Sequence, residues 1–462
     1  MRRTLVSARN SIKYQRESAN HPHLTPHRQT LPLALLMAGE QALLFGVVLF
    51  DAVLAGQLGV DPLAAQVIVA GLIQVTAVFF QITAIGGSIL VAQAMGRGDR
   101  RDAELTLRCS SLLSLAFGFA VMLLVWLFSP QLISLMGVSA SVEQLGDPYL
   151  RASSLAMPLQ FLLLSANGCL RGAGDARRPL LVMGLANGLH VALALLLAFP
   201  LQLGLLGLAL AHFISRIAGL CLLAIWLWRG VAGLRWRGGP ISRQRMQRLL
   251  QLGIPVGLEQ LAIRGARLMQ LRLVTELGTA ALAAYAVTAN TLSILLMLGL
   301  GFLLAALTVI GQLAGAGETE QIYERAWQLQ RQAWFVLGGL ALLFFIWPEM
   351  PTRLFSADEM VRAAAVPGLR LVLLAVPLEA INQVLTGALR GAGDTRYPMW
   401  VTIFGHWLVS LPLIVLFTTV LGWGVTSVWA AMFLQMFVRA LLTAGRFRRR
   451  YRPQLTQPME AA

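Results

Sequence analysis

The stretch LRGAGDARRP at residues 170–179 returns as LRGAGDTRYP at residues 389–398, with eight of ten letters unchanged. The offset from Arg171 to Arg390 is 219 positions, and it holds elsewhere without a gap. Glu40-Gln41 falls on Glu259-Gln260, Leu58-Gly59 on Leu277-Gly278, Gln93 on Gln312, Gly96 on Gly315, Gly98 on Gly317 and Pro158 on Pro377. The chain is therefore a duplication, and whatever it folds into must be built from two like halves.

Each half is a series of apolar blocks such as SSLLSLAFGFAVMLLVWLF at 110–128. Such blocks are long enough to cross a hydrocarbon layer of about 30 Å as helices. Only 13% of the residues are charged and the mean hydropathy is +0.69, which excludes an ordinary water-soluble domain. The period-two alternation of a membrane barrel is missing. Breaks at charge clusters and Gly/Pro turns predict spans near 32–57, 62–95, 103–129, 145–169, 178–201 and 203–228, then near 249–276, 281–314, 322–347, 362–388, 397–420 and 423–444. The expected fold is an all-α integral membrane protein, twelve transmembrane helices in two parallel six-helix repeats that form two lobes around a central cavity. Six is even, so both copies enter from the same side and are related by an axis along the membrane normal. The corresponding division is a disordered basic arm at 1–30, a first lobe at 31–230, a linker at 231–248, a second lobe at 249–446 and a tail at 447–462.

The formal charge of +16 comes almost wholly from arginine, Lys13 being the single lysine. These arginines stand between spans, in 97–108, 171–178, 229–248 and the final RFRRRYR, while the alternate loops are poor in them. The positive-inside rule accounts for this pattern without nucleic acid. It predicts a multi-pass protein of the inner (cytoplasmic) membrane with both termini cytoplasmic. Cys109, Cys169 and Cys221 form neither a disulfide framework nor a metal-ligand spacing. No GxxxxGK[ST] loop is present for ATP, and no clustered catalytic groups point to an enzyme. No metal or cofactor is expected. GAGD imitates an intramembrane aspartyl protease, but Asp175 and Asp394 lie in arginine-bearing loops.

The doubled LRGAGDxRxP after spans 4 and 10, LGVDPLAA and LGTAALAA after spans 1 and 7, and AQAMGRGD with GQLAGAGE after spans 2 and 8 resemble the multidrug and toxic compound extrusion (MATE) family over about residues 32 to 445. The resemblance implies a secondary antiporter that exports drugs or metabolites in exchange for protons or sodium ions by alternating access, the small-molecule substrate lying between the lobes. The chain is expected to act as a monomer in the lipid bilayer. Sodium-coupled export of the same class and a lipid-linked oligosaccharide flippase of the same superfamily are the alternatives.

Within the repeat, Gly172, Gly174, Asp175 and their twins Gly391, Gly393 and Asp394 read as hinge and anchor. The glycines turn the chain, the aspartate caps the next helix, and the arginines are expected to face the cytoplasm.

Ionisable side chains inside spans cost about 2.5 to 3.5 kcal/mol each at mid-membrane, so they face a cavity or a partner. Glu40 and Asp51 in span 1 are eleven residues apart, hence on one helix face and about 16 Å apart along the axis. Asp51, in VVLFDAVLAGQLG, resembles the family's first-helix aspartate that carries ion coupling. A carboxylate in low dielectric can be protonated or charged according to what else occupies the cavity. Glu40 and its twin Glu259 stand near the start of their spans, where a structural pairing competes with coupling. Glu379 resembles the acid of a second-lobe ion site, but its first-copy counterpart is Gln160, a neutral candidate for substrate contact, and Ile263 stands where the partner acid is expected in span 7. Relatives also carry Asn-x-x-x-Asp in span 5, where this chain has His190 and Ala194. Losing an amide and a carboxylate weakens a sodium site, whereas a proton needs one titrating group, so protons are the expected coupling ion with His190 beside Asp51. In span 7, Arg267 and Gln270 lie about 80° and 20° from Glu259 around the helix. Either Glu259 neutralises Arg264 or Arg267, or Arg267 contacts an anionic or zwitterionic substrate.

Overall fold

The computed structural model describes residues 29–236, 239 and 241–452. Most of the expected basic arm, up to His27 and Arg28, and the tail from residue 453 lie outside the described residues. The first repeat forms α1 (Thr30–Leu58), α2 (Val60–Gly96), α3 (Arg100–Ser134), α4 (Ala140–Ser154), α5 (Met157–Gly172), α6 (Arg177–Ala198) and α7 (Gly204–Arg229). The second forms α8 (Arg243–Thr275), α9 (Thr279–Ala316), α10 (Thr319–Ile346), a short α11 (Glu349–Arg353), α12 (Glu359–Leu374), α13 (Val376–Gly391), α14 (Arg396–Ile403), α15 (Leu411–Thr419) and α16 (Thr426–Tyr451).

Among the described residues nine helical segments are long and apolar enough to cross a membrane alone, counting Arg396–Thr419 as one, and two bent pairs bring the number to eleven. The twelfth span is α8, 33 residues long, whose arginines and glutamate dilute its hydropathy. The fold is thus all-α with twelve spans in two lobes, as the repeat requires. Leucines, valines and phenylalanines such as Val67, Phe119, Leu124 and Leu196 remain exposed on the outside, which is where lipid chains would cover them.

The spans expected at 145–169 and 362–388 are each two helices, α4 with α5 and α12 with α13, bent by 47° in both lobes. Pro158 and Pro377, at equivalent positions in the first turn of α5 and α13, remove a backbone donor and crowd the preceding turn. The eleventh span has its own break, a π-helical stretch Phe404–Ser410 just before Pro412.

The lobes meet by exchanging equivalent helices: α1 packs on α9, and α2 packs on α8 and α9. The contact is held to backbone distance by glycine. A Cβ at Gly96 would collide with the carbonyl oxygen of Gln312, and one at Gly315 with that of Gln93. The two collisions are the same contact seen from each lobe. The hydrophobic cluster that runs through the second lobe joins it, near the arginine-rich end, to the first lobe, bringing Leu33, Met37, Ile85 and Ile89 against Phe302, Leu307 and Ile310. Farther along, each lobe keeps its own cluster, around Leu54, Val69 and Ala194 in one and around Val274, Ile414 and Val428 in the other. The lobes are therefore sealed at the arginine-rich end and separate toward the opposite face.

Candidate functional site

The first arginine of each repeat does not face water, whereas Arg177 and Arg396 farther along it are exposed. Arg171 is buried and its Nη1 lies 2.6 Å from Glu40 Oε1; Arg390 Nη2 lies 2.6 Å from Glu259 Oε2. This corrects the expectation that they point out of the membrane, and also the expectation that Glu259 neutralises Arg264 or Arg267. A guanidinium buried in α5 or α13 needs a carboxylate, and the first helix of its own lobe supplies one. Thr402 adds a hydroxyl to Glu259 Oε1 at 2.9 Å. Its equivalent in the first lobe is Met183, and Glu40 Oε2 is left without a hydrogen bond.

Elsewhere in the motif the glycine turn and the aspartate cap are both formed. Gly174 and Gly393 adopt φ of +90° and +91°, where a side chain would be strained. Asp175 Oδ1 accepts from the amides of Arg177 and Arg178, and Asp394 Oδ1 from that of Tyr397. Gly172 and Gly391 let α5 and α13 approach the backbone of α2 and α9 at Ser88 and Leu307. Their carbonyls also hold the lobes together, since Gln312 Nε2 donates to Gly172 O at 3.2 Å and Gln93 Nε2 to Gly391 O at 3.0 Å. The repeat motif of each lobe is thereby fastened to the glutamine of the other.

In the first lobe Asp51, still partly exposed, lies 2.7 Å from Nε2 of the buried His190. Asn187, one turn before His190, donates to Leu43 O and so fixes α6 against α1. His190 meets His212 edge-on, with ring centroids 5.5 Å apart. Arg216 Nε points to His212 Nε2 at 3.4 Å, so that this nitrogen acts as acceptor, and both Nη atoms of Arg216 donate to Asn187 Oδ1 at 3.1 Å. Arg216 is thus a fully buried cation held by neutral acceptors. The acid, two imidazoles and a guanidinium form one connected group inside the lobe.

In the second lobe Glu379 accepts from Asn382 at 3.1 Å and Gln383 at 3.0 Å, with Arg439 at 3.7 Å. Gln270, the positional twin of Asp51, is buried and donates to Ser410 Oγ at 3.0 Å. Gln160 is partly buried with its Oε1 unbonded. Arg267 is exposed, and its neighbour Arg264 reaches across to Gln74 of the first lobe at 3.3 Å. Arg272 pairs with Glu276 at the surface, 3.8 Å apart.

Arg216, Asn187, His212, Arg439, Asn382 and Gln383 are parts of these groups that sequence reasoning passed over or left as ordinary. The signal was available for the two arginines, which interrupt HFISRIAG and QMFVRALL deep in apolar spans.

Comparison with known proteins gives a consistent result. The MatE family model matches residues 37–196 and 255–416, one stretch per lobe. The "Probable multidrug resistance protein NorM" of Thermotoga maritima is 26% identical over 90% of this chain and 90% of its own length. Its namesake in Deinococcus radiodurans is 30% identical over 77% of this chain and 80% of its own. Among solved structures, one described as the outward-facing conformation of a multidrug resistance MATE family transporter superposes with a TM-score of 0.87 at 21% identity, covering 93% of this chain and 96% of that one. A transporter from Pyrococcus furiosus, whose description attributes a reversed polarity to its binding pocket, gives 0.84 at 20% identity, covering 93% and 98%.

Proposed function

The chain belongs to the MatE family of multidrug efflux transporters, and from that premise we propose that it is a proton-coupled antiporter that exports small organic molecules by alternating access. The observation that carries this reading is the 2.7 Å contact between Asp51 and His190. A proton gained or lost there switches the pair between a net-neutral and a net-negative state. Substrate and proton can then compete for the first lobe without both being held, which is what obligatory exchange demands. The nearest partner of Asp51 is a nitrogen, whereas a hard cation such as sodium would want several oxygens around it. At Glu379 the neighbouring amides turn their donors, not their oxygens, toward the carboxylate.

The paired Glu40 and Glu259 belong to the scaffold in this reading, and coupling rests on Asp51 with His190. The arginine-rich end faces the cytoplasm, so the lobes are drawn open to the outside, where a proton reaches Asp51 and substrate leaves. Return requires the fastenings between Gln93 and Gly391 and between Gln312 and Gly172 to part while the opposite face closes. Arg267, on the helix that starts the second lobe, offers a forked donor to a substrate with a carboxylate or phosphate.

The test is efflux of ethidium from proteoliposomes under an imposed pH gradient without sodium, against a sodium gradient at fixed pH. Transport driven by the pH gradient alone is expected. A strict requirement for sodium would overturn the choice of ion.

A further inference from the structure

A cavity of about 730 Å³ opens at the arginine-rich end of the first lobe, between the start of α3 and the loop that follows α7. Arg100, Arg101 and Glu104 line it from α3, and Gly230, Gly233 and Arg235 from the loop. The loop has a defined shape. Val231 and Leu234 exchange backbone hydrogen bonds of 2.8 Å, and the Trp236 amide returns to Leu227 O at 3.1 Å. Gly230 and Gly233 adopt φ of +85° and +75°, and their bare backbone lets the stems of Arg235 and Arg100 lie directly against them.

Among the described residues no carboxylate stands within ion-pair distance of Arg100, Arg101 or Arg235. Of the acids close by, Glu104 lines the cavity without pairing with these arginines, and Asp102 is already used, holding Arg97 at 2.9 Å and Arg245, at the start of the second lobe, at 2.7 Å. Three arginines with no ion-pair partner among the described residues thus line one concavity.

Its depth in the membrane is marked by tryptophan. Trp228 and Trp236, on either side of the loop, are 80% and 46% exposed. Exposed tryptophans flanking an arginine loop belong at the boundary between acyl chains and headgroups. Leu105 continues the wall below the arginines as an apolar surface. Charge above and apolar surface below match an amphiphile better than a free ion.

We propose that this cavity binds the phosphate headgroup of an anionic phospholipid from the arginine-rich leaflet. Arg100, Arg101 and Arg235 take the phosphodiester, Leu105 takes the start of an acyl chain, and Glu104 accepts from a headgroup hydroxyl such as that of phosphatidylglycerol. The site lies where the connection between the lobes leaves α7, so the lipid is held beside the joint about which the lobes move. It does not depend on which ion drives transport.

The experiment compares lipid retention by native mass spectrometry of the full chain purified from mixed phosphatidylglycerol and phosphatidylcholine. Three proteins are used: wild type, R100Q/R101Q/R235Q, and R243Q/R248Q/R449Q, which loses the same charge elsewhere on that end. Wild type and the second variant should retain phosphatidylglycerol preferentially. The cavity variant should lose about tenfold or more of that preference while keeping its melting temperature in phosphatidylcholine, which shows that it is folded. Equal preference in all three proteins, or equal loss in both variants, would overturn the proposal in favour of a diffuse basic surface. Displacement of the lipid by millimolar glycerol 3-phosphate, with that soluble compound binding the lipid-free protein as well, would reassign the cavity to free phosphate esters and overturn the lipid.

Discussion

The two lobes share their scaffold and differ in their interior chemistry. The Glu40–Arg171 and Glu259–Arg390 pairs are both 2.6 Å long, the two glutamine-to-glycine fastenings are twins, and both proline bends measure 47°. The polar groups inside do not repeat. Asp51, His190, His212 and Arg216 correspond to Gln270, Val409, Ala431 and Gln435, while Glu379 and Arg439 correspond to Gln160 and Leu220. What was kept in both copies holds helices together and joins the lobes. What diverged includes Asp51, on which the proposed coupling rests, and each lobe has its own acid at its own place.

The largest difference between the lobes should show at the first-helix acid. Asp51→Asn should reduce pH-driven ethidium efflux to the level of empty vesicles with insertion and melting unchanged, because the amide keeps the shape and cannot titrate. Gln270→Ala, at the twin position, should leave transport measurable. Undiminished transport by the asparagine variant would make the lobes equivalent in this respect.

Next come the buried ion pairs, where the lobes should behave alike with one graded difference. Arg171→Gln leaves the buried Glu40 without its ion-pair partner, a loss of about 3 to 5 kcal/mol. Arg390→Gln should cost less by about 1 to 2 kcal/mol, because Thr402 still donates to Glu259. Thermal melting of both variants in one detergent measures this, and the reverse order would contradict the part given to Thr402.

The glycine contacts should be equal in both lobes. Gly96→Ala and Gly315→Ala each insert a methyl group where a helix meets the other lobe's backbone, an overpacking cost of about 1 to 3 kcal/mol. Both should widen the arginine-rich end to a similar extent, read as spin-label distances across it. A change confined to one variant would break the pseudo-symmetry of the seal.

Most of this architecture was legible in the sequence. A gapless offset of 219 fixed the number of halves, and apolar block length fixed the spans. The interior was less so, for a physical reason. Which acid meets which base depends on helix rotation, and an arginine after a glycine-rich turn reads as a surface anchor until its guanidinium is seen to reach Glu40. Asp51 and His190 were expected side by side because the family resemblance sets the span 5 position beside the first-helix aspartate. Arg216 and Arg439 carried a signal of another kind, an ionisable group deep in an apolar span. The bends at Pro158 and Pro377 were also readable, but a proline in a long apolar run does not say how far the helix turns.

The smallest expected effect concerns substrate charge. α8 carries Arg264, Arg267 and Arg272, and the equivalent positions of α1 are Phe45, Val48 and Val53. Arg267→Gln should lower efflux of an anionic dye severalfold and leave ethidium efflux within about twofold, the scale of one exposed charged contact. Equal loss of both would point to folding or gating.

The division of labour between the lobes is tested most directly by counting protons released when ethidium binds the purified protein in weakly buffered detergent solution. Wild type and Glu379→Gln should each release about one proton per ethidium bound, as exchange at a single titrating pair requires, and Asp51→Asn should release none while still binding. Release that persists in Asp51→Asn and vanishes in Glu379→Gln would place the exchange in the second lobe and contradict the assignment made here.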